Sequence, residues 1–220
     1  MIKLIDDLLT RAEVHELRAI AAAAAFVDGR ISNPNSAVKH NLHLGDADAY
    51  RRSSATMLAA LERHEDAMAF AMPAAIAPPL LTRYQPGMRY GLHHDAPTMQ
   101  VDGRRLRSDI SCTIFLSDPE DYAGGALRMQ LGDSDIRHRG RPGSAILYPS
   151  VTLHEVEEVT QGERLVGITF IQSRVRDIAR RDALYEIGEV AALEGLTMRP
   201  DNYVRLRRVQ ANLQRMWEDQ

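Results

Sequence analysis

The sequence has little cysteine and no long apolar run. Cys112 is the single cysteine among 220 residues, so neither an intrachain disulfide nor a cysteine-based zinc cluster can form. No stretch approaches the roughly 20 apolar residues that a membrane-spanning helix needs. The alanine-rich segment 19–27 follows several acidic side chains, whereas a signal peptide begins with positive charge. We therefore expect a cytoplasmic protein without a membrane partner.

An excess of charge of one sign is also missing. The chain carries 27 basic and 30 acidic residues, for a net charge of −3. This balance gives no reason to expect nucleic acid as a partner. The hydrophobic fraction of 45% is ordinary for a globular protein, and the length suffices for one domain with its own core.

Helical patterns lie at both ends of the chain. Thr10 and Glu13 have the spacing of a capping box before an alanine-rich run, which predicts a helix over residues 11–26. A turn is expected at Asn33-Pro34-Asn35. Further helices are predicted over 46–61, 65–72, 177–193 and 202–217.

From residue 78 the sequence consists of short apolar runs separated by Gly, Pro and Asp. Such runs predict an all-β sandwich or barrel. We therefore predict an α+β chain with domain 1–176 (helices in 1–77, β core in 78–176) and a C-terminal helical extension, 177–220. The predicted strands are 80–84, 89–93, 110–116, 126–131, 145–148, 153–159 and 165–172.

His93 and Asp95 form a His-x-Asp pattern within a predicted strand. Side chains at positions i and i+2 share one face of a strand, so both can reach one metal ion while His94 points away. His154, at the start of a late strand, is the candidate third ligand. Two histidines and one carboxylate on one face of an octahedral ion are typical of non-haem iron(II) oxygenases. Alone, His-x-Asp fits a simple hydrogen bond equally well.

Arg164 follows His154 by ten residues. A hairpin turning at 161–162 would place the two on adjacent strands. A guanidinium binds a carboxylate through two hydrogen bonds, which suits the distal carboxylate of 2-oxoglutarate. Tyr84 and Tyr90 precede the ligand pair, and either phenol could add a hydrogen bond to that carboxylate or simply pack in the core.

Two neighbouring segments have plainer interpretations. Gly124 and Gly125 would let a strand pass close to the site, but a turn is the expected structure. The arginine-rich segment 96–107 is expected to be a solvated loop. Its position next to His93 and Asp95 in the sequence would also allow it to act as a lid beside the metal.

Taken in order, these motifs resemble the PKHD-type hydroxylases, PiuC-like relatives of the prolyl 4-hydroxylase catalytic domains in the iron(II)- and 2-oxoglutarate-dependent dioxygenase superfamily. The resemblance covers most of the chain and implies a double-stranded β-helix, or jelly-roll, core. The matching segments are 28–30, 37–41, 84–95, 107–125, 147–154, 159–164, 171–177 and 212–217.

The resemblance also implies the site. By it, His93, Asp95 and His154 bind Fe(II), Arg164 anchors 2-oxoglutarate, and Tyr84 assists Arg164. Dioxygen would be the second cosubstrate and L-ascorbate an auxiliary reductant. The implied reaction hydroxylates a C–H bond while 2-oxoglutarate is converted to succinate and carbon dioxide.

Three departures from the family pattern leave the substrate open. They are His94 between the ligands, Ser32-Asn33-Pro34-Asn35 after the first motif, and Ala126 after the double glycine. A peptidyl proline, an amino acid and a siderophore-like molecule all fit.

Two alternatives keep the metal site but not the oxygenase chemistry. A cupin-like hydrolase or isomerase also places histidines and a carboxylate in a β-barrel, and zinc accepts those ligands. A non-catalytic metal-binding module would work through its helical tail. Arg164 and Tyr84 argue against the first alternative, because a hydrolytic or isomerising site does not need a carboxylate clamp. Against the second, the tail alternates arginines with apolar residues, a pattern that favours packing against the barrel or a second subunit. The long terminal helices make a homodimer conceivable.

Overall fold

The computed structural model describes residues 1–32 and 36–218. Within these ranges the chain forms five α-helices and seventeen strands. The turn expected at Asn33-Pro34-Asn35 lies outside the described residues. The helices are α1 (Arg11–Ala23), α2 (Ala47–Arg63), α3 (Glu65–Ala71), α4 (Ile178–Glu194) and α5 (Pro200–Trp217).

The strands are short and most of them lie between α3 and α4. In chain order they are β1 (Lys3–Ile5), β2 (Phe26–Asp28), β3 (Lys39–His40), β4 (Leu42–Leu44), β5 (Pro73–Ile76), β6 (Leu80–Tyr84), β7 (Arg89–His93), β8 (Thr98–Val101), β9 (Arg104–Arg107), β10 (Ile110–Phe115), β11 (Tyr122–Gly124), β12 (Leu127–Leu131), β13 (Ser134–His138), β14 (Ala145–Pro149), β15 (His154–Val156), β16 (Val159–Gly162) and β17 (Arg164–Ser173).

Two antiparallel sheets form the centre of the molecule. The larger has the order β1-β14-β10-β17-β6-β4-β2, with β5 also paired to β17, and the smaller has the order β13-β12-β15-β7-β3. Neighbours that are distant in sequence show that the chain crosses between the sheets, as in a jelly roll. The predicted α+β architecture, a double-stranded β-helix with leading and trailing helices, is confirmed.

The larger sheet is covered on both faces. Because alternate residues point to opposite sides, Ile114 packs with the helices whereas Phe115 packs with Leu127 of the smaller sheet. Gly167 in β17 allows α2 to approach, since a Cβ there would lie 2.3 Å from Sδ of Met57. The helices thus close one face of the larger sheet, and its other face lines the interior between the sheets.

The predicted end of the first helix was wrong. α1 ends at Ala23 rather than at residue 26, because Phe26–Asp28 forms β2 and pairs with Leu42–Leu44. Aromatic and β-branched side chains such as Phe26 and Val27 favour this extended pairing. The capping box at the start of the helix is present as predicted.

One strand prediction and one loop prediction also needed correction. The single strand expected over 153–159 is divided into β15 and β16, and β16 pairs with β11 outside the smaller sheet. The loop expected over 96–107 is instead the β8–β9 hairpin, which turns at Asp102 and Gly103 with positive φ angles. Arg107 in this hairpin forms a two-point ion pair with Asp109.

The C-terminal helices lie beside α3. Contacts connect α3 with α4 and α4 with α5. Arg181 of α4 is buried and donates to the carbonyl of Val175 at 3.0 Å. The domain boundary at residue 176 stays a prediction. No helix in the described part of the chain is long and apolar enough to cross a bilayer.

Loss of the α1 cap should weaken the fold measurably. Thr10 Oγ1 accepts from Glu13 N, and Glu13 accepts from Thr10 N. Thr10→Ala should lower the free energy of unfolding by about 1 kcal/mol. Urea denaturation measures this. Thr160→Ala, on an exposed strand position, is the control and should change it by less than about 0.5 kcal/mol. Equal losses in both variants would contradict the cap's role.

Candidate active site

Three candidate ligands meet where β7 pairs with β15. His93 and His154 are direct partners across these antiparallel strands, and their ring centroids are 4.3 Å apart. Asp95 follows β7 by two residues, and its Oδ1 lies 3.9 Å from His93 Nε2. Its Oδ2 lies 3.6 Å from His154 Nε2. The predicted triad is therefore brought together, and His94 is exposed as expected.

Both histidine rings are oriented by backbone carbonyls. His93 Nδ1 lies 2.7 Å from the oxygen of Gly91, and His154 Nδ1 lies 2.9 Å from that of Thr152. Donation from Nδ1 leaves Nε2 with its lone pair directed toward Asp95. Burial, together with the nearby His154, lowers the pKa of His93 to about 4, so this ring is neutral at pH 7. A neutral imidazole is the form that binds a metal.

Donor type and spacing fit a divalent metal ion. The three ligand atoms all lie within 4.8 Å of one another. Two ligands at right angles, each about 2.1 Å from an ion, are about 3 Å apart. The separations of 3.6 and 3.9 Å are close to that value. A facial set of two imidazoles and one carboxylate suits iron(II) in particular.

Asp95 is held by a chain of hydroxyl groups that no sequence pattern pointed to. Ser111 Oγ donates to Asp95 Oδ2 at 2.5 Å and lies 2.8 Å from Ser150 Oγ. Ser108 Oγ donates to Ser150 Oγ at 2.9 Å. Ser111 belongs to β10 of the larger sheet, so the carboxylate is fixed from the opposite wall. Serine is too common a residue for this contact to be inferred from spacing.

Arg164 does not lie on a strand adjacent to that of His154, as the hairpin interpretation required. It begins β17 in the larger sheet, opposite Tyr84 of β6, whereas His154 lies in the smaller sheet. The chain changes sheets at β16, which pairs with β11. The two side chains nevertheless line the same cavity, from opposite walls.

The Arg164 guanidinium is enclosed and has unused hydrogen-bonding capacity. The residue is 1% exposed, and its Nε has no hydrogen-bond partner among the described residues. The guanidinium carbon lies 5.1 Å from the Tyr84 ring centroid and 5.9 Å from that of Phe115. A buried cation is costly unless it is paired. This arrangement is suited to a bound carboxylate.

The two candidate tyrosines take different places. Tyr84 lies beside Arg164, and its hydroxyl accepts from Asn41 Nδ2 at 3.0 Å. Burial raises the pKa of Tyr84, so its O–H stays available as a donor. Tyr90 lines the same cavity, but its ring stacks on His93 with centroids 3.6 Å apart. Tyr90 therefore supports a candidate ligand rather than Arg164.

The turn expected at the double glycine was wrong, because Gly124 ends strand β11 and the backbone here passes close to other residues. Gly124 and Gly125 have φ angles of +71° and +62°. A Cβ on Gly125 would lie 2.8 Å from Val159 Cγ2 and 3.1 Å from Arg164 Cδ. Glycine thus leaves the space that the stem of Arg164 occupies.

Lys39 is a further cavity residue that sequence reasoning missed. It lies in β3 opposite Tyr90, is 7% exposed, and places Nζ 5.2 Å from the Tyr90 ring centroid. Burial lowers its pKa to about 8, against the attraction of Asp95 and Asp28. The only sequence feature that pointed to Lys39 is its place in segment 37–41, which resembles the family.

Comparisons with known proteins agree with this geometry. A model of the 2OG-Fe(II) oxygenase superfamily matches residues 79–172. A PKHD-type hydroxylase of Sphingopyxis alaskensis is 58% identical over 217 residues, which cover 99% of each chain. A Pseudomonas putida prolyl-4-hydroxylase structure has a TM-score of 0.55 at 21% identity, over 79% of this chain and 92% of that one. A Trichoplax adhaerens prolyl hydroxylase, in complex with a hypoxia inducible factor peptide fragment, has a TM-score of 0.58 at 15% identity, over 83% and 86%.

The superfamily match, together with the PKHD-type relative that is similar over the whole chain, defines the class as a 2OG-Fe(II) oxygenase. Within that class the chain belongs to the PKHD-type hydroxylases, because the 58% identity extends over almost its whole length. The structural neighbours, all below 25% identity, bear on the fold alone. Membership implies iron(II), 2-oxoglutarate and dioxygen as cofactor and cosubstrates, and decides against both the cupin-like and the non-catalytic alternatives.

Removal of the Ser111 hydroxyl should weaken metal binding. Ser111→Ala leaves Asp95 Oδ2 without its donor, and loss of such an outer contact typically costs about tenfold in metal affinity. Titration of the metal-free protein with Mn(II) measures the dissociation constant. Ser134→Ala, on an exposed hairpin position, is the control and should bind as the wild type does. Unchanged affinity in Ser111→Ala would show that Asp95 does not need this contact.

Proposed function

We propose that this chain hydroxylates a C–H bond of its substrate while 2-oxoglutarate is oxidatively decarboxylated to succinate and carbon dioxide. In this proposal His93, Asp95 and His154 bind iron(II). Arg164 binds the distal carboxylate of 2-oxoglutarate, and Tyr84 assists it. The observation that carries the proposal is the convergence of three ligand atoms, all within 4.8 Å of one another, in the cavity that Arg164 also lines.

The ligands are held ready for the metal. Carbonyl oxygens of Gly91 and Thr152 orient the two imidazoles, and the Ser111 hydroxyl orients Asp95. Such outer contacts reduce the reorganisation needed on binding. His93, Asp95 and His154 would hold the metal, and two imidazoles with one carboxylate are the donor set that non-haem iron(II) oxygenases use.

Arg164 and Tyr84 together suit the far end of the cosubstrate. A carboxylate would supply the buried guanidinium with the charged partner it lacks among the described residues. Because Asn41 donates to the Tyr84 oxygen, the phenol proton remains free to donate to that same carboxylate. Asn41 is therefore a positioning residue for Tyr84.

Iron(II) with 2-oxoglutarate and dioxygen supplies the oxidising chemistry, which no side chain can provide. The protein contributes binding, orientation and exclusion of water. Buried cavity-lining side chains serve the last of these purposes, including Leu127, Tyr148 and Val156. A dry cavity also strengthens the electrostatic contacts made inside it.

Location, reductant and assembly are parts of the same proposal. The proposed location is the cytoplasm. Cys112 is buried, and burial raises the pKa of its thiol to about 12, so the thiol is unreactive. L-Ascorbate is the proposed auxiliary reductant. The substrate is a small molecule or a peptidyl residue. A homodimer would use α5, which exposes Val204 and Met216.

Spectroscopic titration tests the cofactor roles. Anaerobic addition of iron(II) and then 2-oxoglutarate to the metal-free protein should produce the visible charge-transfer band of the chelate. His154→Ala should abolish the band because two ligands remain. Arg164→Ala should raise the dissociation constant of 2-oxoglutarate about 100-fold, equivalent to about 2.7 kcal/mol.

The control for this titration is Arg205→Ala, at an exposed position of α5, which should leave the dissociation constant unchanged. Unaltered affinity in Arg164→Ala would remove Arg164 from the cosubstrate site. No band in the wild type, with tight zinc binding instead, would overturn the proposed chemistry as a whole.

A further inference from the structure

Lys39 is a buried ammonium group that the proposed chemistry leaves without a role. The chain has only two lysines among its 27 basic residues, Lys3 and Lys39. Lys3 forms an ion pair with Asp66 at 2.7 Å. Lys39 is 7% exposed, and within residues 1–32 and 36–218 its ammonium has no carboxylate in ion-pair contact. Its hydrogen bond is to a neutral hydroxyl, Ser32 Oγ, at 2.5 Å.

The position of Lys39 is tied to the candidate metal ligands. In the smaller sheet Tyr90 pairs with Lys39 on one side and with Val156 on the other. Lys39 Nζ lies 5.2 Å from the Tyr90 ring centroid, and the same ring stacks on His93. One aromatic ring therefore contacts both the ammonium and a candidate ligand.

Two glycines hold the segment around Lys39 in place. Gly91 donates its N–H to the Val38 carbonyl at 2.9 Å, and a Cβ on Gly91 would lie 3.0 Å from Val38 Cβ. On the other side Gly29 donates to the Asn41 carbonyl at 2.8 Å, and a Cβ on Gly29 would lie 1.9 Å from Asn41 Oδ1. The backbone before and after Lys39 is packed too closely to shift, so the ammonium belongs to a built cavity wall.

The charge balance of the loaded site calls for another anion. A divalent metal, the Asp95 carboxylate, the 2-oxoglutarate dianion and the Arg164 guanidinium cancel one another. Lys39 then adds one positive charge that nothing in this set neutralises. A buried charge without a partner is costly, so a ligand that supplies a negative charge is stabilised here.

The Lys39 ammonium hydrogen-bonds to a residue at the protein surface. Ser32, its hydrogen-bond partner, is exposed and ends the short 3-10 turn Gly29–Ser32. Arg164, by contrast, is 1% exposed and lies against Tyr84 and Phe115. Lys39 is thus connected to the surface through Ser32, whereas Arg164 is enclosed by aromatic rings at the inner end of the cavity.

We propose that Lys39 binds a carboxylate of the substrate, so that the hydroxylated molecule is an acid held through Lys39 beside the metal. This inference rests on the proposed function and names the substrate class of the same site. The carboxylate belongs either to a free organic acid or to an acidic side chain of a peptide. Both present the same group to the ammonium.

Binding of matched probes tests this without turnover. The protein is loaded with Mn(II) and saturated with 2-oxoglutarate, and proton relaxation of added propionate or propionamide reports binding near the paramagnetic ion. The wild type should prefer propionate about tenfold, the size expected for one charged contact. Lys39→Met should remove the preference, Lys39→Arg should retain it, and the matched control Lys3→Met should not affect it.

A second probe pair separates the two sources of the carboxylate. Acetyl-Gly-Asp-Gly-amide is compared with acetyl-Gly-Asn-Gly-amide in the same assay. A Lys39-dependent preference for the aspartate peptide supports an acidic side chain, and a preference confined to propionate supports a free acid. The absence of any Lys39-dependent preference in both pairs would overturn the proposal.

The 2-oxoglutarate charge-transfer band distinguishes failure of this inference from failure of the proposed function. Lys39→Met should retain the band with a dissociation constant for 2-oxoglutarate within about twofold of the wild type, which also shows that the variant is folded. A loss of 2-oxoglutarate affinity of about tenfold or more would assign Lys39 to the cosubstrate and refute the substrate role. In that case the charge-transfer band of the wild-type protein would still support the proposed function.

Discussion

Antiparallel pairing of β7 with β15 sets His93 opposite His154, and the candidate active site depends on this register. A slip of one residue would turn each side chain to the opposite face of the sheet, so the ligands would point away from the cavity. The register is supported on both sides, because β12 pairs with β15 and β3 pairs with β7. The pairing is irregular between these positions, because Tyr90 and His93 are three positions apart whereas Val156 and His154 are two apart, and this irregularity lets Tyr90 face the candidate ligands. Lys39 lies opposite Tyr90 in β3 and lines the same cavity.

The larger sheet forms the opposite wall of the cavity and supplies side chains that complete the candidate site. Ser111 of β10 donates to Asp95, and Arg164 of β17 lies beside Tyr84 of β6. Because α1 to α3 pack on the outer face of this sheet, its inner face is held against the smaller sheet. Candidate metal ligands on one wall and the buried Arg164 cation on the other would suit a cosubstrate that bridges the cavity.

Two buried positive charges in the cavity bear on which ligands the site can bind. Arg164 and Lys39 are both desolvated, and neither forms an ion pair with a described carboxylate. In a low-dielectric interior such groups favour anionic ligands strongly. Family membership defines the cofactor class, whereas the outer cation, Lys39, points to an acidic substrate that the family name alone does not specify.

Local patterns in the sequence determined a large part of this protein. The capping box of α1, the bounds of β6 and β7, and the shared face of His93 and Asp95 all follow from interactions between residues close in the chain. The extended pairing of Phe26–Asp28, the sheet change between His154 and Arg164, the Ser111 contact and the inward position of Lys39 were decided only by the tertiary structure. Each depends on contacts between strands that are far apart in sequence, and local residue spacing does not indicate which distant strands will pair.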